Sequence, residues 1–192
     1  MQNKLIAIAG GIGSGKSIIS SILRILGYYV YDCDREAKKL MNTSKIIKKE
    51  LINTFGERCI TENNTVDSIY LSSIVFNDKK ALNKLNAIVH PKVKEDIIQK
   101  KVFHNIFFIE TAILMQSNLL DIIDEVWLVS APVKVRIDRV IKRNGISSGE
   151  VLKRINAQNN QDYSILNNCK IIDNNGNVSV LTQLNELLKD LI

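Results

Sequence analysis

The amino-acid sequence predicts an α/β fold in which helices flank a five-stranded parallel sheet. Short apolar runs, rich in branched or aromatic residues, alternate along the chain with segments of helical periodicity. Such alternation favours parallel strands that are covered by helices on both faces. The predicted strands are Leu5–Ala9, Tyr28–Tyr31, Ile106–Ile109, Val126–Val129 and Lys170–Ile172.

A glycine-rich loop follows the first strand, in the stretch IAGGIGSGKSII. Its spacing, Gly10-x4-Gly15-Lys16-Ser17, is that of a P-loop, whose backbone N–H groups wrap a phosphate at the start of a helix. We expect Lys16 to reach the β- and γ-phosphates of a nucleoside triphosphate, and the Ser17 hydroxyl to bind Mg²⁺. The expected nucleotide contacts are Gly11, Ile12, Gly13, Ser14, Gly15, Lys16, Ser17 and Ile18.

Acidic residues follow the second and third predicted strands. If the strand through Val30 stays extended, Asp32 and Asp34 project to the same side at its carboxyl end, where open α/β sheets bind ligands. We assign Asp34 to an acceptor hydroxyl, and Asp32 to metal-bound water or to support of the site. A turn with an Asp at a helix N-cap is the alternative. Glu110 ends the next strand, where it holds Mg²⁺ through water, contacts substrate or simply faces solvent.

The chain between Tyr31 and Ile106 has mainly helical periodicity and is longer than a strand-to-helix connection needs. We therefore expect a helical insert that holds a second substrate. Its His90-Pro91 pair suggests a general base. The preferred interpretation is a structural histidine before a proline at the first position of a helix.

A later helix carries Arg136, Arg139 and Arg143 on one face, and Arg154 and Gln158 follow in the next helical segment. Arginines that a closing lid delivers can stabilise the charge that phosphoryl transfer spreads over the equatorial oxygens. The alternative is a solvated basic face.

Composition and charge limit the partners. The 192 residues carry a net charge of +6, which suits an anionic ligand. A solvated lysine-rich surface explains this charge better than nucleic-acid binding, because no basic segment is interleaved with aromatic residues. Cys33, Cys59 and Cys169 form no CxxC pair, and the apolar N-terminal run is too short for a signal peptide. We expect a single-domain cytoplasmic protein, a monomer or weak homo-oligomer, without membrane or nucleic-acid partners.

The combined motifs resemble the dephospho-coenzyme A kinase family nearly end to end. GGIGSGKS, LGYYVYDCD, LNAIVHPKV, ETAILMQSNL and RIDRVIKRNG occur in the order and spacing of that family. The resemblance implies a P-loop NTPase fold with its core at residues 1–33, 104–132 and 168–192. It also implies a helical CoA-binding insert at about residues 34–103 and a lid at about residues 133–167.

The same resemblance implies that the chain transfers the γ-phosphate of ATP to the 3′-hydroxyl of dephospho-CoA with Mg²⁺, the last step of coenzyme A biosynthesis. Asp34 matches the family's proposed base, and Arg143 matches its lid arginine. The expected catalytic residues are Asp34, Lys16 and Arg143, and the further ATP contacts are Arg139 and Arg143. The expected substrate contacts are Asp32, Asp34, His90 and Glu110, and the expected metal ligands are Ser17 and Asp32.

The sequence departs from the family pattern at Ile18, where Thr is usual, at Ser68, where Arg often begins a helix, and at Gln116, which replaces a Glu. The loop lysine and serine are intact, so ATP binding is still expected. The alternatives are another small-molecule P-loop kinase and a switch GTPase. The sequence disfavours the GTPase, because it lacks an Asn-Lys-x-Asp motif.

Overall fold

The computed structural model describes residues 3–76, 78–158 and 162–191. Its strands are β1 (Lys4–Ala9), β2 (Tyr29–Asp32), β3 (Ile106–Glu110), β4 (Glu125–Ser130) and β5 (Cys169–Asp173). Its helices are α1 (Lys16–Ile25), α2 (Cys33–Thr43), α3 (Lys45–Phe55), α4 (Ser68–Val75), α5 (Lys79–Lys101), α6 (Val133–Asn144), α7 (Ser148–Ala157) and α8 (Val180–Lys189). All the predicted strands are confirmed, and their ends differ from the predicted ones by one residue at most.

The five strands form one parallel sheet in the order β2-β3-β1-β4-β5, which confirms the predicted fold class. From β1 the chain continues to β2, which lies at one edge of the sheet. From β3 it continues to β4, which lies toward the other edge. In open α/β sheets, such a divergence of the connections marks the place beyond the carboxyl ends of the two neighbouring strands where ligands bind.

One face of the sheet forms the main apolar core. Alternate residues of the central strands are buried there, among them Ile6, Phe108 and Trp127. Burial of each such side chain contributes about 1.5–3 kcal/mol to folding. Two helices cover this face, with Ile19 and Leu23 from α1 and Leu184 and Leu188 from α8.

The chain divides into two compact units. The first unit is Met1–Asp32 together with Lys101–Ile192, and the second unit is Cys33–Lys100. Within the first unit, α6 and α7 pack on each other through Val140, Val151 and Ile155. The second unit is helical and has its own core of Ile47, Leu51, Cys59 and Leu71. In the described part of the chain, none of the helices is long and apolar enough to cross a membrane.

Pro91 lies in the interior of α5, so the prediction that it stands at the start of a helix is wrong. A proline inside a helix removes one backbone hydrogen bond and crowds an earlier carbonyl, at a cost of about 3 kcal/mol. The buried side chains of α5 hold the helix continuous against this cost; they are Ala81, Val89, Val93 and Ile97. His90 is half-buried, and burial lowers its pKa, so its imidazole is neutral near pH 7.

Candidate active site

The glycine-rich loop adopts a conformation that other residues reach only with strain. Gly13 has a φ of 77° and Gly15 a φ of 105°, values that L side chains rarely adopt. Space is restricted as well, because a Cβ at Gly13 would meet the backbone of Arg136, and one at Gly15 would collide with the Asn174 side chain. These glycines therefore serve close packing against the loop as well as the approach of a phosphate.

Lys16 begins α1, and its side chain folds back onto the loop. Its Nζ donates hydrogen bonds to the carbonyl oxygens of Gly10, at 2.8 Å, and of Gly11, at 3.3 Å. The ammonium charge is thereby held at the loop, where the partial positive charge of the α1 N-terminus adds to it. The Ser14 hydroxyl is buried and has no hydrogen-bond partner among the described residues. An unsatisfied buried hydroxyl is a position where a water or ligand oxygen gains stability.

Side chains from later elements hold the loop in place. Arg136 of α6 donates from Nε to the Ile12 carbonyl oxygen at 2.8 Å, and burial lowers the pKa of its guanidinium. The Ile12 N–H donates to Oε1 of Gln158 at 2.8 Å. Asn174, which follows β5, donates from Nδ2 to the Ser14 carbonyl oxygen at 2.8 Å. These bonds fix the peptide planes of the loop before a phosphate binds, which lowers the cost of ordering it on binding.

The other two arginines of α6 differ from each other in their contacts. Arg139 donates to the carbonyl oxygens of Ser14, at 3.3 Å, and of Asn174, at 2.9 Å, so it also supports the loop. Arg143 is exposed, and its Nε donates to the Asn144 side chain at 2.7 Å. A solvated basic face therefore describes the surroundings of Arg143 but not those of Arg139.

Sequence reasoning missed two residues at the loop, Asn174 and Tyr163. Burial raises the pKa of Tyr163 to about 12, the Cys169 charge acts in the same direction, and a hydrogen bond from the Gly10 backbone opposes both. Tyr163 is therefore a neutral phenol beside the loop. The position of Asn174 directly after the last strand was a usable signal, whereas no local pattern marks Tyr163.

Asp32 and Glu110 lie side by side at the carboxyl ends of β2 and β3, where they are paired in the parallel register. Strand alternation places them on the same sheet face as Val30 and Phe108, which is the face that α1 covers. Ser17 lies in the first turn of α1. Mg²⁺ typically takes one or two protein carboxylates together with phosphate oxygens and waters. A hydroxyl and two carboxylates are oxygen ligands of the kind that such an ion takes.

Asp34 does not continue the strand. β2 ends at Asp32 and α2 begins at Cys33, so the prediction that Asp32 and Asp34 project from one extended strand is wrong. Asp34 and Glu36 lie in the first turn of α2 instead, where the helix dipole favours negative side chains. This preference for acidic residues in the first turn favours a helix start over a longer strand. Asp34 is exposed, so its carboxylate is accessible to a ligand.

Comparisons with known proteins agree on one family. The family model described as dephospho-CoA kinase matches residues 4–179. The chain is 33% identical over 186 residues to the dephospho-CoA kinase of Bacteroides fragilis (strain YCH46), which covers 95% of this chain and 90% of that relative. It is 34% identical over 184 residues to the dephospho-CoA kinase of Fusobacterium nucleatum, which covers 94% of each chain.

Solved structures share the fold over the full length. A crystal structure of a Thermus thermophilus protein superposes with a TM-score of 0.85 at 29% identity and covers 100% of both chains. The dephospho-CoA kinase from Campylobacter jejuni superposes with a TM-score of 0.69 at 20% identity, again over 100% of both chains. These superpositions support the assignment of a parallel α/β sheet with flanking helices.

Proposed function

This chain belongs to the dephospho-CoA kinase family, and we propose that it transfers the γ-phosphate of ATP to the 3′-hydroxyl of dephospho-CoA, giving CoA and ADP. The observation that carries the proposal is the edge of the sheet at the carboxyl ends of the strands. There the glycine-rich loop follows β1, Glu110 ends the neighbouring strand β3, and Asp32 ends β2 on the far side of β3. A loop alone binds a nucleotide, whereas strand-end carboxylates next to it add the oxygen ligands that metal-assisted phosphoryl transfer needs.

The donor side of the reaction rests on the loop. Lys16, now bound to the carbonyls of Gly10 and Gly11, exchanges these contacts for the β- and γ-phosphate oxygens of ATP. Ser17 and Asp32 would hold Mg²⁺, with Glu110 as the alternative carboxylate. The ion supplies neutralisation of the phosphate charge when it is bound.

The acceptor side rests on Asp34. We assign to its carboxylate the orientation of the 3′-hydroxyl and the late removal of its proton, because a loose transition state needs little activation of the nucleophile. Arg143 neutralises charge on the transferring group, and residues 133–167 act as the lid that carries it. Residues 34–103 bind the acceptor, with neutral His90 as a contact. Cys33, Cys59 and Cys169 form no disulfide in the described part of the chain, which suits the cytoplasm, where thiols stay reduced.

A panel of acceptors with ATP tests this proposal. The panel contains dephospho-CoA, adenosine, a nucleoside monophosphate and a cyclic alcohol such as shikimate. We expect a phosphorylated product from dephospho-CoA, identified as CoA by mass and by its use in a CoA-dependent enzyme reaction. Phosphorylation of another alcohol while dephospho-CoA stays unchanged would instead identify a different small-molecule kinase.

A further inference from the structure

We propose that Gln158 is a positioning residue for ATP, and that it acts through the Gly11–Ile12 peptide of the glycine-rich loop. This inference rests on the proposed function and adds a residue that supports the phosphate-binding backbone from outside the loop. The N–H of this peptide, on Ile12, donates to Oε1 of Gln158 at 2.8 Å. Its carbonyl, on Gly11, accepts hydrogen bonds from the Ser14 N–H at 3.2 Å and from Nζ of Lys16 at 3.3 Å.

The planarity of the peptide links these three hydrogen bonds. In a trans peptide the N–H and the C=O lie in one plane and point in opposite directions, and the described part of the chain has no cis peptide. The direction of the Ile12 N–H therefore sets the direction of the Gly11 carbonyl. Gln158 thereby keeps this carbonyl turned toward the Ser14 N–H and the Lys16 ammonium. A carbonyl oxygen turned toward a bound phosphate instead would repel it.

The Gly11–Ile12 peptide needs support from outside the loop. Glycine leaves the backbone freer than any other residue does, and a Cβ at Gly11 would collide with the guanidinium of Arg136. Gln158 is the C-cap of α7, where its own N–H donates to the Ile155 carbonyl oxygen at 3.0 Å. The Ile12 side chain packs against the apolar cluster of α6 and α7 that includes Ile155. This cluster therefore brings the Ile12 N–H and the Gln158 side chain together.

A carboxamide suits this position because it accepts a hydrogen bond without a net charge. The Ile12 N–H can only donate, so the side chain that meets it has to present an acceptor. A carboxylate would also accept, but its negative charge would oppose the binding of phosphate at the loop, and an ammonium has no acceptor. Gln158 supplies the acceptor and leaves the positive charge of Lys16 uncompensated by a carboxylate at this position.

Replacement of Gln158 by methionine tests the role of its oxygen, because methionine has a similar size and only a weak acceptor. Gln158→Met should raise the Kd for ATP about fivefold, as expected for the loss of one hydrogen bond. Calorimetry on the full chain without dephospho-CoA measures this Kd. Inorganic tripolyphosphate, which has the phosphates but no nucleoside, should lose affinity by the same factor. The KM for dephospho-CoA should stay within about twofold of the wild-type value.

Amide hydrogen exchange, followed by NMR, separates positioning from a general role in folding. Exchange at Ile12 and Ser14 should be faster in Gln158→Met, whereas exchange at Ile8 in the buried strand β1 should keep its rate. The matched control is Asn185→Leu, which removes an exposed amide from α8. It should leave the affinity for ATP and the three exchange rates unchanged.

The outcomes of these measurements decide between the two roles. An unchanged Kd for ATP in Gln158→Met overturns the inference, and so does an unchanged exchange rate at Ser14. Faster exchange at Ile8 as well would show that Gln158 serves the fold in general, which also overturns it. Binding of ATP and amide exchange need no turnover, so absence of wild-type turnover with dephospho-CoA would overturn the proposed function alone.

Discussion

Asp34 is an exposed carboxylate in the first turn of α2, so its replacement should change chemistry rather than stability. Asp34→Asn keeps the size of the side chain and its ability to contact a hydroxyl, but it cannot accept the proton. We expect turnover to fall by about 100-fold, as is typical when a general base is lost. The KM for ATP should not change. Steady-state kinetics at saturating substrates measures both constants.

The matched control for this substitution is Asp138→Asn, because Asp138 is an exposed aspartate in the first half of α6. It should turn over at the wild-type rate. Near-normal turnover by Asp34→Asn would remove Asp34 from the role of base and leave it a helix-start residue.

Glu125 is a buried carboxylate at the amino end of β4, the edge of the sheet opposite to the glycine-rich loop. Burial by itself raises the pKa of Glu125. The hydrogen bonds from Trp127 and Lys4 and the charges of Lys4 and Lys170 lower the pKa by more than burial raises it, so it lies below its usual value. A folded-state pKa below the unfolded one means that the stabilisation is fully present above about pH 4.5 and is lost as the pH falls through the folded value.

Glu125→Gln should therefore lower the free energy of unfolding by about 1–3 kcal/mol at pH 7, because it weakens a buried charge-assisted hydrogen-bond network. The difference from wild type should shrink as the pH falls from about 4.5 through the lower folded-state pKa, because the wild-type carboxylate becomes protonated over that range. Urea unfolding across a pH series measures this difference in the free energy of unfolding. Exposed Glu62→Gln serves as the control, and an equal pH dependence for wild type and Glu125→Gln would contradict the assigned cause.

At the scale of elements, the glycine-rich loop depends on residues far away in sequence. Asn174 after β5 holds the Ser14 carbonyl, and its side chain occupies the space that a Cβ at Gly15 would need. Asn174→Ala removes this hydrogen bond and loosens the loop. We expect the KM for ATP to rise roughly three- to tenfold, which corresponds to the loss of one hydrogen bond of about 1 kcal/mol.

The readout for Asn174→Ala is the KM for ATP beside the KM for the acceptor, with thermal unfolding as a check on folding. Asn177→Ala is the control, because Asn177 is exposed in the same turn and bonds to the Asn175 side chain through its backbone N–H, which the substitution keeps. If Asn174→Ala raises the KM for ATP and the KM for the acceptor equally, the variant has lost structure in general. If its KM for ATP equals that of Asn177→Ala, Asn174 does not support the glycine-rich loop.

The strands and the loop could be predicted because each is encoded by neighbouring residues. The apolar runs and the Gly10–Ser17 spacing are local patterns. The two wrong predictions, Pro91 at a helix start and a strand that extends through Asp34, both placed a boundary from a single local signal. Burial of side chains along α5 keeps Pro91 inside a continuous helix, and α2 begins already at Cys33, before Asp34. The contact between Asn174 and Ser14 joins residues 160 positions apart, so no local pattern could reveal it.

At the scale of the whole molecule, the two units carry different parts of the proposed reaction. The first unit holds the glycine-rich loop and the strand-end carboxylates, and the second unit holds Asp34. A kinase built in this way must not spend ATP on water when the acceptor is absent, because loss of the phosphate to solvent competes with transfer. Release of ADP should therefore depend on the acceptor.

The most direct test is ADP release by the full chain with ATP and Mg²⁺, measured with and without dephospho-CoA. We predict that ADP appears only slowly from ATP alone, that the rate rises and saturates with dephospho-CoA, and that CoA forms in an amount equal to the ADP. ADP release that is independent of dephospho-CoA, or that yields free phosphate instead of CoA, would contradict the assignment of this chain as an acceptor-dependent phosphotransferase.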